Sequence, residues 1–160
     1  MSLNDIFNFI QVGETVATGG QPSADQLREA SEAGYEVVVN LAPDGLETSL
    51  PEEKSLLESL GIEYHQIPVP WTAPHLDQLD EFERVMVAIG RRRTLIHCQA
   101  NFRVTVFFAM YATAKLGWSD DDADALIDRI WSGHSDYEME DSWRNFIAAA
   151  RARVHHEAGA

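Results

Sequence analysis

One short stretch of the chain carries reactive chemistry. Residues 94–105 read TLIHCQANFRVT: an apolar strand pattern ending on His97, a cysteine at position 98, and Arg103 at the first turn of an apolar helical pattern. A loop whose amides converge with a helix N-terminus forms a nest of donors at positive potential, suited to a tetrahedral oxyanion. The same field lowers the pKa of a thiol at its base, so Cys98 is a candidate thiolate near neutral pH. Arg103 can fork two bonds onto the equatorial oxygens of such an anion, a geometry that lysine lacks. An isolated cysteine is commonly a small core residue. Packing alone, however, does not account for an arginine at a helix start, where positive charge is unfavourable. Gln99, Ala100, Asn101 and Phe102 would supply the loop amides. The loop has no glycine, and Asn101 is the non-glycine type that best tolerates a left-handed backbone.

The elements that must hold this loop follow from periodicity. Asn8 to Val12 and Thr15 to Thr18 flank Gly13-Glu14, the spacing of two short strands joined by a tight turn. Ser23 and Gln26 have capping-box spacing ahead of a helix over 24–33, with Gly34 as its stop. The β-branched run Val37 to Leu41 reads as a buried parallel strand, and Glu52 to Leu60 as a helix between Pro51 and Gly61. Ile62 to Val69 reads as a strand closed by Pro70, and Leu76 to Ile89 as a helix. After the strand at 94–97, Val104 to Leu116 is apolar on nearly every side, the mark of a central helix. Helices over Asp121 to Trp131 and Glu140 to Val154 follow, each with acidic residues at its start. Strands alternating with helices predict an α/β fold, a central mostly parallel sheet flanked by helices, with its site at the C-terminal strand ends. The loops after Leu41, Val69 and His97 would then share one face.

Composition narrows the function classes. The 160 residues, 45% hydrophobic and without low-complexity blocks or repeats, suit one domain over 1–160. Twenty-six acidic against twelve basic residues give a formal charge of −14, which disfavours nucleic acid and anionic membranes. Arg91 to Arg93 is the basic exception and reads as a solvated turn. The single cysteine allows no internal disulfide and no multi-cysteine metal site, which suits a reducing compartment. No apolar stretch approaches a membrane span and no basic leader is evident, so a cytoplasmic location is expected. His65 reads as a strand residue, and His134, His155 and His156 as loop and tail positions whose separation makes no metal site. No metal or cofactor is expected.

The stretches IHCQANFR, GGQPSADQL with VVVNLAPD, and IEYHQIPVPW resemble the protein tyrosine phosphatase superfamily, especially its small bacterial dual-specificity-like branch, over roughly residues 12 to 118. That resemblance implies a dual-specificity phosphatase-like fold and hydrolysis of phosphate monoesters, on a phosphorylated protein or small molecule. Cys98 would form a phosphocysteine intermediate, residues 98–103 would bind the phosphoryl group, and His97 would support the loop and the thiolate. The chain departs from the family pattern in two places. Four residues, rather than five, separate Cys98 from Arg103, and Val104 stands where a hydroxyl is usual, with Thr105 next to it either supplying that hydroxyl or packing.

The general acid of the resembling enzymes lies on the loop after the strand at 62–69, where this chain has Pro70-Trp71-Thr72 and no carboxylate between Tyr64 and Leu76. Asp77 is the first candidate, Asp44 the second and His75 the third. Gln21, Asn40 and Trp71 are expected near the pocket. Two other readings stand beside the phosphatase. A rhodanese-like sulfurtransferase would fit a cysteine loop with four intervening residues, and a non-catalytic phosphate- or phosphoprotein-binding module would fit the missing acid.

Overall fold

Val37, Val38 and Val39 are all fully buried, as expected of a strand covered on both faces. The computed structural model describes residues 2–132 and 139–159. Its strands are β1 (Ile10–Gln11), β2 (Val16–Gly19), β3 (Val37–Asn40), β4 (Glu63–Gln66) and β5 (Thr94–His97), in the order β1-β2-β5-β3-β4. Only the β1–β2 pair is antiparallel; β2–β5, β5–β3 and β3–β4 run parallel.

Period-two alternation sorts the strand residues onto two cores. Ala17, Val38 and Leu95 pack with Leu27 and Ala30 of α1 (Ala24–Glu32) and Leu57 of α2 (Glu53–Ser59). Val37, Val39 and Ile96 face the larger core with α3 (Leu76–Ile89), α4 (Phe102–Lys115), α5 (Asp120–Trp131) and α6 (Asp141–Gly159). Helix α4 is buried without interruption from Arg103 to Ala112, as its unbroken apolar run predicts.

Local chemistry sets the boundaries. The Ser23 hydroxyl accepts from the Gln26 amide at 3.1 Å while the Ser23 amide donates to the Gln26 side chain at 2.9 Å, completing the expected capping box. The strand expected over 62–69 is shorter than its apolar run. Ile67 and Val69 are buried and donate backbone bonds to Asn40 and Leu41, so they look strand-like beyond the end of β4. At the basic turn, Arg92 forks onto Glu63 with two 3.1 Å bonds and Arg93 lies 4.8 Å over the Tyr35 ring. His65, within β4, contacts Glu63 at 2.7 Å. His134 lies outside the described residues; the backbone at His155 and His156 belongs to α6 rather than to a tail. Among the described residues no helix is long and apolar enough to cross a membrane.

The register levels the strand ends. Gly19 and Asn40 both pair with His97, and Asn40 pairs with Gln66. The segments that follow all four strands therefore leave the sheet at one edge.

Candidate active site

The loop after β5 rests on the segment that leaves β2. The Cys98 amide donates to the Gly19 carbonyl at 3.3 Å, and the Gln21 amide to the Gln99 carbonyl at 3.1 Å. A Cβ on Gly20 would stand 2.7 Å from the Gln99 oxygen and 3.2 Å from the Ala100 Cα, so only glycine lets the two backbones approach this closely. Asn101 adopts the left-handed conformation anticipated for it, with φ at 72°. Its amide nitrogen donates to the Asn8 carbonyl at 2.8 Å and to the Thr18 hydroxyl at 2.9 Å, while Asn8 donates back to the Ala100 carbonyl at 2.9 Å. Asn101 is also the N-cap of α4 but makes no side-chain capping bond. The first-turn amides of that helix are left to a ligand or solvent. Thr105, fully buried, spends its hydroxyl on the Asn101 and Phe102 carbonyls, and so packs within the helix.

Cys98 is completely buried at the start of this loop, and Arg103 is 4% exposed. Arg103 Nε donates to the Val69 carbonyl at 2.9 Å and Nη1 to Gln99 Oε1 at 3.1 Å, and its guanidinium lies 5.2 Å from the Trp71 ring centre. Trp71 is fixed in turn: its carbonyl accepts from Trp143 Nε1 at 2.8 Å, its indole donates to Glu140 at 3.1 Å, and its ring stacks on Trp131. Phe7, Thr48, Trp71, Gln99, Ala100, Phe102 and Arg103 line a cavity of about 440 Å³. Gln99 reaches across it to the Thr48 hydroxyl at 3.0 Å. Phe7 and Thr48 had no sequence signal, because both lie in irregular segments far from residue 98.

No carboxylate is among the described residues that line this cavity. Asp77 lies in the first turn of α3 with its side chain 87% exposed, and its amide donates to His75, the N-cap. Asp44 accepts from Gln66 at 2.8 Å and borders a second cavity of about 500 Å³. Gln21 and Asn40 also line that second cavity, whereas Trp71 lines the first. The expected residues thus divide: Trp71, Arg103 and the loop stand together, while Asp77 and His75 stand apart from both cavities.

Beneath the loop His97, expected there as its support, meets a buried partner, Glu53, that sequence reasoning did not find. His97 is fully buried, and its Nε2 lies 2.7 Å from Glu53 Oε2. Its Nδ1 faces the Cys98 carbonyl at 3.4 Å. Glu53 Oε1 accepts from Gln21 at 2.7 Å. Burial pushes the Glu53 carboxyl up, but the charge and hydrogen bond of His97, with bonds from Gln21 and Tyr64, outweigh it and hold the group below its ordinary value. The Tyr64 hydroxyl, which accepts from Asn40 at 3.1 Å, is pushed up to about 12 by burial and by the negative charge of Glu53. The available signal was helical: Glu53 and Leu57 are four apart, hence on one face, and both are buried.

No family model matches the chain. It is 24% identical to a candidate phosphatase of the DUF442 group from Shewanella putrefaciens CN-32, with a TM-score of 0.84 and coverage of 95% of this chain and 96% of that one. The active form of Tk-PTP aligns at 23% identity and a TM-score of 0.76, over 91% of this chain and 97% of that one. The fold is that of the protein tyrosine and dual-specificity phosphatases. By sequence, the chain is 27% identical over 120 residues, 73% of its length, to a beta-lactamase hydrolase-like protein of Xylella fastidiosa. It spans 28% of that relative's length. Within the phosphatase fold, the segment 98–103 lies where a strand end, a loop and the N-terminus of a buried helix meet.

Proposed function

We propose that the chain is a cysteine-dependent phosphatase acting on phosphate monoesters. The observation that carries this reading is the 98–103 segment: a buried cysteine at the foot of a loop, helix amides above it, and an arginine held at the mouth by the Val69 carbonyl. The phosphatase fold supports the phosphate class. In the proposed reaction the Cys98 thiolate attacks phosphorus and forms an S–P bond as the bond to the leaving oxygen breaks. Arg103 and the loop amides of Gln99, Ala100, Asn101 and Phe102 hold the equatorial oxygens. Water then cleaves the phosphocysteine and releases inorganic phosphate. Trp71, Phe102 and Phe7 wall the mouth with aromatic surface, which favours an aryl phosphate such as a phosphotyrosine side chain or an aromatic small molecule. The lone cysteine suits a reducing cytoplasm.

A sulfurtransferase is the second reading, favoured by the four residues between Cys98 and Arg103. There the Cys98 thiolate would take a sulfane sulfur from thiosulfate, release sulfite, and pass the sulfur to an acceptor such as cyanide. Both chemistries are tested on one preparation, by aryl phosphate hydrolysis beside thiosulfate-to-cyanide transfer, in the wild type and in Cys98→Ser. The expected result is hydrolysis that Cys98→Ser abolishes. Sulfur transfer that exceeds hydrolysis and is lost in the same variant moves the chain to the sulfurtransferase class.

A further inference from the structure

We propose that Gln99 is the specificity-determining residue of the mouth: its side chain walls the Arg103 cavity off from a second cleft and confines the site to compact aryl phosphates. The inference rests on the reading of residues 98–103 as a phosphate loop and adds to it a limit on what the phosphate can carry.

The wall is a side chain held at both ends. The Gln99 backbone is pinned, since its carbonyl accepts from the Gln21 amide at 3.1 Å. Its carboxamide Oε1 accepts from Arg103 Nη1 at 3.1 Å, and its Nε2 donates to the Thr48 hydroxyl at 3.0 Å. A guanidinium can only donate, so the carboxamide cannot turn over without setting two donors against each other. Thr48 is held as well. It lies on a turn in which the Ser49 amide donates to the Leu46 carbonyl at 3.0 Å and the Leu46 amide to the Ser49 hydroxyl at 3.1 Å. The strap from Thr48 through Gln99 to Arg103 therefore crosses the mouth, from the segment after β3 to the start of α4.

Behind the strap is a cleft of about 510 Å³, bordered by Gln21, Pro22, Gln26 and Leu50. Phe7, Thr48 and Gln99 line this cleft and the Arg103 cavity alike. These three residues make the partition between the two, and the Gln99–Thr48 bond closes it. Phe7, 56% exposed, stands at the junction. A large apolar side chain left in water beside two cavities offers aromatic surface to a ligand that spans both. Among the described residues lining the cleft the only charge is that of Asp5, so a neutral second ring suits it and a second anion does not. With the strap closed, a ligand on Arg103 is confined to the first cavity. With the strap open, a second ring reaches Phe7, Pro22 and Leu50.

Aryl phosphonates have no ester bond to hydrolyse, so their binding reads the wall without turnover. Dissociation constants of phenylphosphonate and biphenyl-4-ylphosphonate are to be measured by calorimetry on the full chain, in the wild type, Gln99→Ala and Thr48→Val. The wild type should bind the larger ligand no more tightly than the smaller. Gln99→Ala removes the wall and one partner of Arg103; the second loss weakens both ligands alike and cancels in their ratio. That ratio should move about tenfold in favour of the biphenyl, the gain from removing roughly 55 Å² of aromatic surface from water. Thr48→Val keeps the size of the side chain and the Gln99–Arg103 bond but releases the strap. It should move the ratio the same way by about threefold, the scale of one exposed hydrogen bond. If Gln99→Ala does not fold by circular dichroism, Thr48→Val, a change at an exposed position, decides the matter. A ratio unchanged in the folded variants overturns the proposal, as does a wild type that already prefers the biphenyl tenfold or binds neither phosphonate. Hydrolysis separates the two readings. A chain that shows the shifted ratio but cleaves no phosphate ester refutes the phosphatase and leaves the wall standing, whereas active hydrolysis with an unshifted ratio does the reverse.

Discussion

The two sides of the 98–103 loop are built on opposite principles. Its outer side is an aromatic mouth with one buried cation, Arg103, and no carboxylate among the described residues lining the cavity. Its underside holds a carboxylate and an imidazole 2.7 Å apart, both almost wholly removed from water. Under the proposed function, the Arg103 charge stands where an anion would arrive, beside the aromatic faces of Trp71 and Phe102. The buried pair, by contrast, is turned away from the cavity and shielded from solvent, where low dielectric makes its mutual attraction strong. Among the described residues no acid lines the mouth, and Glu53, buried close to the loop, lies on the other side, bound to His97.

The largest effect should come from breaking the outer side. Arg103→Lys retains one positive charge, yet the lysine ammonium cannot donate to the Val69 carbonyl and grip two anion oxygens in the fixed plane of a guanidinium. Loss of roughly 10³-fold in kcat/KM for an aryl phosphate is expected, comparable to losing a preorganised oxyanion donor. A lysine variant within threefold of wild type would show that the cation at the mouth acts only as a diffuse charge.

The lack of a carboxylate in the mouth leads to the second prediction. General acid catalysis is worth about 10²–10⁴ in rate, so without it the departing oxygen must leave as an anion. Single-turnover rates across substituted phenyl phosphates should fall steeply as the leaving-group pKa rises, and alkyl phosphates should react far more slowly. Asp77→Asn and Asp44→Asn should leave both rate and slope unchanged, since neither borders the Arg103 cavity. A shallow slope in the wild type that steepens in one of these variants would return that aspartate to the site.

What could be read from the sequence follows the same division. The strand–loop–helix junction at 94–103 and the left-handed Asn101 within it were legible because they lie in one short stretch, which leaves a local pattern. The α/β order was legible for the same reason, through the capping box at Ser23 and the run Val37 to Val39. The contacts that finish the site are long-range. Phe7, Asn8, Thr48 and Glu53 meet the loop only because β2, β3 and β5 end at one level, and that register is a property of the sheet. Glu53 was further hidden by its neighbours, since Glu52, Glu53 and Lys54 together look like a solvated helix start. The strand at 62–69 was overextended because Ile67 and Val69 bury themselves against the core without continuing the ladder.

The smallest expected effect concerns the contact between the two sides, and it separates close packing from mere turn preference. Gly20 and Gly13 are both glycines of the N-terminal segment, but they have different surroundings. A methyl group at Gly13 meets nothing within 4 Å, whereas one at Gly20 would stand 2.7 Å from the Gln99 carbonyl oxygen and 3.1 Å from that of Phe7. Neither obstacle is the end of a flexible side chain, so Gly20→Ala must move backbone, and the backbone nearest is the loop that carries Gln99 and Ala100. A displacement of a few tenths of an ångström there tilts the amides away from the anion; misplacements approaching 1 Å cost about 10²-fold, so a loss of roughly tenfold in kcat is expected. Gly13→Ala should be silent in the same assay. Thermal unfolding of both variants provides the control, because a loop shift that leaves the cores intact lowers activity more than it lowers Tm. Equal activities in the two variants would mean that the loop tolerates displacement, and that the close approach of Gly20 is incidental to the site.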